Sequence, residues 1–234
     1  MNHGPLIFLG LLFTMASSWC GLVLAPQLQL GNQQPVAKGS SLYPPNRPGL
    51  ANQGREVYRA NGCFYCHTQQ VGPKDSSSDI ARGWGKRHSV AQDYINDEPV
   101  MLGSRRLGLD LMNVGVRRAE DETGTNLVWH LQHLYNPQIT SPGSIMPSYP
   151  YLFEKRPLAR GQARSADALP LSGQFVPPEG IEIVPKPEAV ALVHYLFSLQ
   201  SAEVALYEAP LPVPPKPAED TNAAPAGATN SVAK

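Results

Sequence analysis

The chain has 234 residues, 42% hydrophobic and 16% charged, and that charged share lies below the ~25% of ordinary soluble domains, so part of it is expected in lipid or without a packed core. Lysine plus arginine and aspartate plus glutamate each number 19, and zero formal net charge gives no global field toward nucleic acid or an acidic surface. The 24 prolines and 20 glycines point to long loops or a disordered tail.

The chain opens with MNHGPLIFLGLLFTMASSWCGLVLAP, and no lysine, arginine, aspartate or glutamate precedes Lys38. About 20 almost wholly apolar residues run from Pro5 to Ala25, and at ~1.5 Å per residue they span a ~30 Å hydrocarbon core. A cleaved secretory signal is the competing reading, but it needs a basic leading region that this sequence lacks. A retained membrane anchor is the expectation. Gly10, Thr14, Ser17 and Gly21 place small side chains on one face, as helices packing in lipid do, although small residues are common in any anchor. Cys20 in this segment is expected as a free thiol.

Residues 26 to about 48 carry prolines, glycines and glutamines without apolar periodicity and read as a linker or a collar at the membrane surface. LANQGREVYRANG then suits a short helix that packs through Val57 and Tyr58 and stops at Asn61-Gly62. GCFYCHTQQV follows directly. The stretch from Gly72 to Gly124 is irregular, with Trp84, Tyr94 and Met101 as scattered anchors. TNLVWHLQHLYNP is helical, with Leu127, Leu131 and Leu134 on one stripe and Asn136-Pro137 ending it. SPGSIMPSYPYLF reads as an extended loop, and residues 154 to about 185 as another long loop. KPEAVALVHYLFSLQSAE supplies the last helix, with Pro187 in its first turn and an apolar face of Val190, Val193, Leu196 and Phe197. Beyond Glu208 the composition cannot offset its ordering entropy, so a disordered tail is expected. The divisions are therefore an anchor at 1–27, a linker at 28–48, a folded domain at 49–208 and a Pro/Ala-rich tail at 209–234.

Cys63-Phe64-Tyr65-Cys66-His67 holds two of the three cysteines, and several chemistries share its spacing. A thioredoxin-like dithiol wants the pair at a helix start inside a βαβ unit, and no such alternation of strand and helix is visible. A structural zinc site wants four ligands, usually from two such pairs, and there is no second pair. A disulfide across two residues would be strained. Cys-x-x-Cys-His is also the attachment signature of c-type haem, in which two thioethers fix the porphyrin and the histidine is placed under the iron. A sixth ligand would support the haem reading. Met146 is the best candidate, because Pro147 holds its backbone extended and a loop can present the thioether across the ring. Met101 and Met112 have apolar neighbours and suit core gap-filling, while His130, His133 and His194 suit packing roles on helices. A histidine and methionine pair leaves iron six-coordinate with a raised potential and no open position, a site that moves electrons. The helix around Gly54 and Tyr58 is then expected to cross that of Val190 to Phe197, with Tyr195 near the crossing.

YRANGCFYCHTQQV, GSRRLGLDLMNVG, WHLQHLYNP and PGSIMPSYPYL, in this order behind one N-terminal anchor, resemble the membrane-anchored monohaem cytochrome c subunit, subunit II, of cbb3-type haem-copper oxidases. The match runs from the anchor to about Phe153. The resemblance implies a mainly α fold, with a single N-terminal transmembrane helix followed by a class I-like cytochrome c domain with long loop insertions. It implies one covalent haem c on Cys63 and Cys66 with His67 and Met146 as its iron ligands. It further implies a domain facing the bacterial periplasm, a position between a donor cytochrome c, often a dihaem subunit, and the haem b of the large haem-copper catalytic subunit, and contact with membrane lipid but not nucleic acid. Oxygen reduction belongs to that partner, and this chain is implied to be its electron-transfer subunit. The related alternative is the tethered cytochrome subunit of a nitric oxide reductase; a dithiol or zinc module is the remote one.

The sequence departs from the family at two places. Gly108-Leu109-Asp110-Leu111 stands where Gly-Pro-Asp-Leu is usual, so Leu109 keeps the carbonyl expected to accept from His67 but not the proline ring. Val71-Gly72-Pro73 lacks the family's arginine, and Arg106 is the residue expected at a haem propionate.

Overall fold

The computed structural model describes residues 3–119, 125–204 and 206. The disordered-tail expectation for residues beyond Glu208 lies outside the described residues.

Helix α1 is continuous over Gly4–Leu30, with a mean hydropathy of 2.0 and none of its apolar window buried by the rest of the chain, as befits a segment solvated by lipid. Two of its hydroxyls bond back to carbonyls of the same helix. Thr14 donates to the Gly10 carbonyl at 2.8 Å and Ser17 to that of Thr14 at 3.0 Å. Over Cys20–Leu24 the helix widens to a π turn, in which the Ala25 N–H reaches the Cys20 carbonyl. Pro26 supplies the reason: its ring has no N–H and crowds the carbonyl a turn earlier, and an extra residue in the turn relieves that crowding.

Two three-residue strands, β1 (Val36–Lys38) and β2 (Ser41–Tyr43), pair antiparallel with Val36 opposite Tyr43 inside the segment expected as a linker. Such short strands leave no readable alternation. What holds the hairpin is distant in sequence: the buried Tyr43 hydroxyl donates to Asp93 at 2.6 Å, Arg87 donates to both oxygens of the same carboxylate, and Gln92 donates to the Gln34 carbonyl at 2.6 Å. The expected collar is thus stapled to the domain.

The core is organised by a crossing of α2 (Gly49–Ala60) and α4 (Pro187–Ser198). The backbones approach so closely that a Cβ on Gly54 would lie 1.8 Å from the Ala191 carbonyl oxygen. One turn on, the Tyr58 and Tyr195 rings meet with centroids 5.3 Å apart, both residues fully buried. Gly115, in the single turn Val114–Arg117, approaches the other end of α4, where its N–H donates to the Leu199 carbonyl at 2.9 Å. Helix α3 (Thr125–Tyr135) packs Leu131 and Leu134 into the same core and sets His130 edge-on to Phe197.

The segment after Glu154, expected as a loop, begins and ends in strands. β3 (Phe153–Pro157) and β4 (Ile181–Pro185) pair antiparallel, Phe153 opposite Pro185. Glu182, buried on β4, accepts from both the backbone and the hydroxyl of Ser165 at 2.8 Å and pairs with Arg156 at 3.4 Å. These bonds close a long excursion over a charged side chain, a device that local periodicity does not reveal. The mainly α class holds, with one helix of membrane length among the described residues, and the strands lie in the segment after that helix and at the two ends of the long insertion.

Substituting Gly54→Ala is expected to cost ~2 kcal/mol through overpacking at the crossing. It should appear as a lower denaturant midpoint of the detergent-solubilised chain, while Gly39→Ala, in an open turn, should perturb the core far less.

Candidate functional site

The site begins where α2 stops. Gly62 adopts φ 66°, a left-handed conformation that a side chain would resist, and the chain turns into a short 3-10 helix over Cys63–Tyr65. The N–H groups of Cys66 and His67 both donate to the Cys63 carbonyl, at 3.2 and 3.0 Å, so one tight turn carries both thiols and the imidazole. Neither cysteine is in a disulfide.

His67 is oriented from outside the turn. Its Nδ1 lies 2.8 Å from the Leu109 carbonyl oxygen, which can only accept, so the ring is protonated at Nδ1 and its Nε2 keeps a lone pair. Burial holds the imidazole below its ordinary pKa, against the opposing pull of the Leu109 carbonyl and the Asp110 carboxylate, and a neutral ring is what a metal requires. The loop that brings Leu109 runs beside the motif through a ladder of backbone bonds. Ser104 donates to Phe64, Gly108 to Cys66 at 2.9 Å, and Leu111 to Thr68 at 2.7 Å. Two glycines permit that proximity: a Cβ on Gly108 would stand 2.2 Å from the His67 ring, and one on Gly103, whose φ is +85°, 2.3 Å from the His67 carbonyl.

Met146 sits in the irregular segment between the Ser141 turn and Tyr149, part-buried against the hydrophobic core, with its N–H toward the Ser144 hydroxyl at 3.3 Å. Gln138 pins this segment, donating to the Ser144 carbonyl and accepting from the Gly143 N–H at 2.7 Å, and Tyr149 donates to the Leu134 carbonyl of α3 at 2.9 Å. Arg106 gives each nitrogen of its guanidinium a protein acceptor. Nε donates to the Thr68 hydroxyl at 2.9 Å, one terminal nitrogen to Asp79 at 2.8 Å, and the other to the Gln70 carbonyl at 2.5 Å. The histidines of α3 pack: His133 stacks on Trp129 and meets the Thr140 hydroxyl at 2.6 Å, and His130 lies edge-on to both Trp129 and Phe197. Met101 and Met112 are buried fillers.

Sequence reasoning passed over the polar residues behind the motif. Asp110 and Asp79 are both fully buried, and Gln69 exchanges hydrogen bonds with the Tyr195 hydroxyl while its carbonyl accepts from Tyr94 at 2.7 Å. Asp79 also accepts from the Gly72 N–H at 2.7 Å, and this bond with Arg106 outweighs burial to hold its carboxyl below the usual range. Their available signal was an aspartate inside an apolar loop at Leu109-Asp110-Leu111.

The donor set discriminates among the chemistries that the spacing left open. Burial pushes the Cys63 thiol up to about 12, the opposite of an activated dithiol. The strand pairs among the described residues are antiparallel hairpins, with no βαβ unit. No group of three or more His, Cys, Asp or Glu among the described residues is arranged to hold a metal ion, as a zinc site would need. Two free thiols on one turn, a neutral imidazole with Nε2 open and glycines that give the ring its place fit a haem.

Fold and site together define a membrane-anchored c-type cytochrome. The family described as cytochrome c oxidase, mono-heme subunit/FixO, matches residues 2–172, well over half of the chain. The chain belongs to this family and is a monohaem cytochrome c subunit of a cbb3-type oxidase, a complex whose catalytic subunit is its partner. No curated protein matches it.

Replacing Gly108 by Ala is expected to drive a methyl into the His67 ring and lower electron-transfer activity by roughly 10-fold or more, the scale of losing an outer-shell contact. The check is the low-spin spectrum together with steady-state turnover of the assembled oxidase. Cys63→Ser with Cys66→Ser should leave the chain without haem on a denaturing gel.

Proposed function

We propose that this chain is an electron relay, taking electrons from a donor cytochrome c and passing them to the haem b of the large catalytic subunit, where oxygen is reduced. The observation that carries the reading is the hydrogen bond from His67 Nδ1 to the Leu109 carbonyl, which leaves Nε2 free on a turn with two thiols.

In this reading Cys63 and Cys66 would hold one haem c by thioethers, and His67 and Met146 would ligate its iron. Bound there, the group would supply reversible one-electron chemistry, with a potential raised by thioether ligation. Everything else falls to the chain. The Leu109 carbonyl holds the imidazole in one tautomer and orientation. Gln138 and Tyr149 fix the ends of the segment that presents Met146. Helix α1 anchors the domain to the membrane, which we read as the bacterial inner membrane with the domain in the periplasm.

Met146→Leu is expected to lower the reduction potential and slow electron entry to the oxidase while haem stays attached. A potential equal to that of the unmodified chain would remove Met146 from the ligand set.

A further inference from the structure

Behind the turn that carries His67 lies a buried network of charges that the ligation itself does not use. Asp110 is 0% exposed. One of its carboxylate oxygens accepts from the Thr68 hydroxyl at 2.6 Å and the Gln70 N–H at 2.8 Å, and the other from the Met112 N–H at 2.9 Å. Arg106 stands 3.9 Å away, its guanidinium between this carboxylate and that of Asp79, at 2.8 Å, and lying over the Trp84 ring. Arg117 donates to the Asp110 carbonyl.

Two consequences follow from the placement. The carboxylate joins the strand of chain just after the motif, at 68 and 70, to its own loop at 112, and the next residue back, Leu109, offers the carbonyl that orients His67. Leu109 has no ring to stiffen it, so its carbonyl stays where the Asp110 clamp and the bonds of Gly108 and Leu111 hold it. The second consequence is electrostatic. A buried carboxylate with few water dipoles around it acts over a longer range than a surface one, and here an arginine opposes it.

We propose that Asp110 is a positioning residue for the axial imidazole and that it and Arg106, with opposite signs, set the reduction potential of the haem site. The inference rests on the ligation by His67 proposed above. Oxidised haem iron carries one more positive charge than reduced. The Asp110 carboxylate therefore favours the oxidised state and lowers the potential, while Arg106 disfavours it and raises the potential. A purely structural role predicts a different pattern, because loosening the loop from either side admits water and weakens axial ligation, which lowers the potential in both cases.

The test is a spectroelectrochemical titration of the full-length chain in the purified oxidase, for the unmodified protein, Asp110→Asn, Arg106→Gln and the double variant. Each sample is first checked for haem retained on a denaturing gel. Asparagine keeps the shape of the carboxylate and the capacity to accept one of its amide bonds. The expected result is an upward shift for Asp110→Asn, a downward shift for Arg106→Gln and an intermediate value for the double variant. Shifts of both single variants in the same direction, or no shift in either with haem retained, would overturn the proposal. Should Asp110→Asn fail to hold haem, Arg106→Gln is read against Arg106→Lys, which keeps the charge but loses the bonds to Thr68 and Gln70: a downward shift confined to Arg106→Gln supports the proposal, and equal downward shifts in both, or an upward or absent shift in Arg106→Gln, contradict it. Absence of covalent haem from the unmodified chain would instead remove the functional reading on which the inference stands.

Discussion

The carbonyl oxygen of Leu109 is the constraint around which the site is built. An imidazole on a tight turn can rotate about two bonds, and its protonation can sit on either nitrogen. A single acceptor at 2.8 Å from Nδ1 removes both freedoms and leaves Nε2 as the lone-pair donor. To put that carbonyl there, the loop around 102–111 must lie against the motif, which explains the backbone ladder from Ser104 to Leu111 and the glycines at 103 and 108, where any Cβ would strike His67. The α2 and α4 crossing has the same logic one layer deeper. Gly54 lets the helices touch, the crossing fixes where α2 ends, and the end of α2 at Gly62 fixes the turn that bears Cys63, Cys66 and His67.

Polar burial in this domain is concentrated rather than scattered. Asp79, Asp110 and Glu182 are each almost entirely excluded from solvent, and each accepts several hydrogen bonds and faces an arginine. Removing one partner of such an arrangement leaves a buried charge without compensation, so these clusters specify one loop conformation more than they add stability. Tyr43, Asp93 and Arg87 do the same for the hairpin that follows the anchor, tying the membrane helix to the domain through only a few intervening residues. That tether matters for a chain that belongs to an oxidase complex, since electron transfer between fixed centres depends on their separation being held.

What the sequence made legible was what short-range physics determines. Apolar length revealed α1, the 3.6-residue stripe revealed α3 and α4, and Asn61-Gly62 marked the end of α2. Cys63, Cys66 and His67 fall on one tight turn, as the spacing of the motif requires, and Met146, singled out because Pro147 extends its backbone, lies in an irregular segment. Both hairpins were missed, since Val36–Lys38 and Ser41–Tyr43 are too short to alternate, and Phe153–Pro157 finds its partner only at Ile181–Pro185. The acceptors of Arg106 were equally invisible: Asp79 lies 27 positions away, and its approach depends on how an irregular segment folds back under Gly72. Leu109 was read through the resemblance, yet the carboxylate next to it that secures the loop was not.

We read Cys63, Cys66 and His67 as the residues that hold a covalent haem through which electrons pass. The measurement that tests it most directly is a haem stain of the chain after denaturing electrophoresis, followed by a reduced-minus-oxidised spectrum of the purified complex, from cells competent to attach haem. One haem that stays with the chain and a c-type absorbance that appears on reduction are expected. A chain that runs without haem, and a complex with no c-type band assignable to it, would contradict the relay and return the cysteine pair to thiol or metal chemistry.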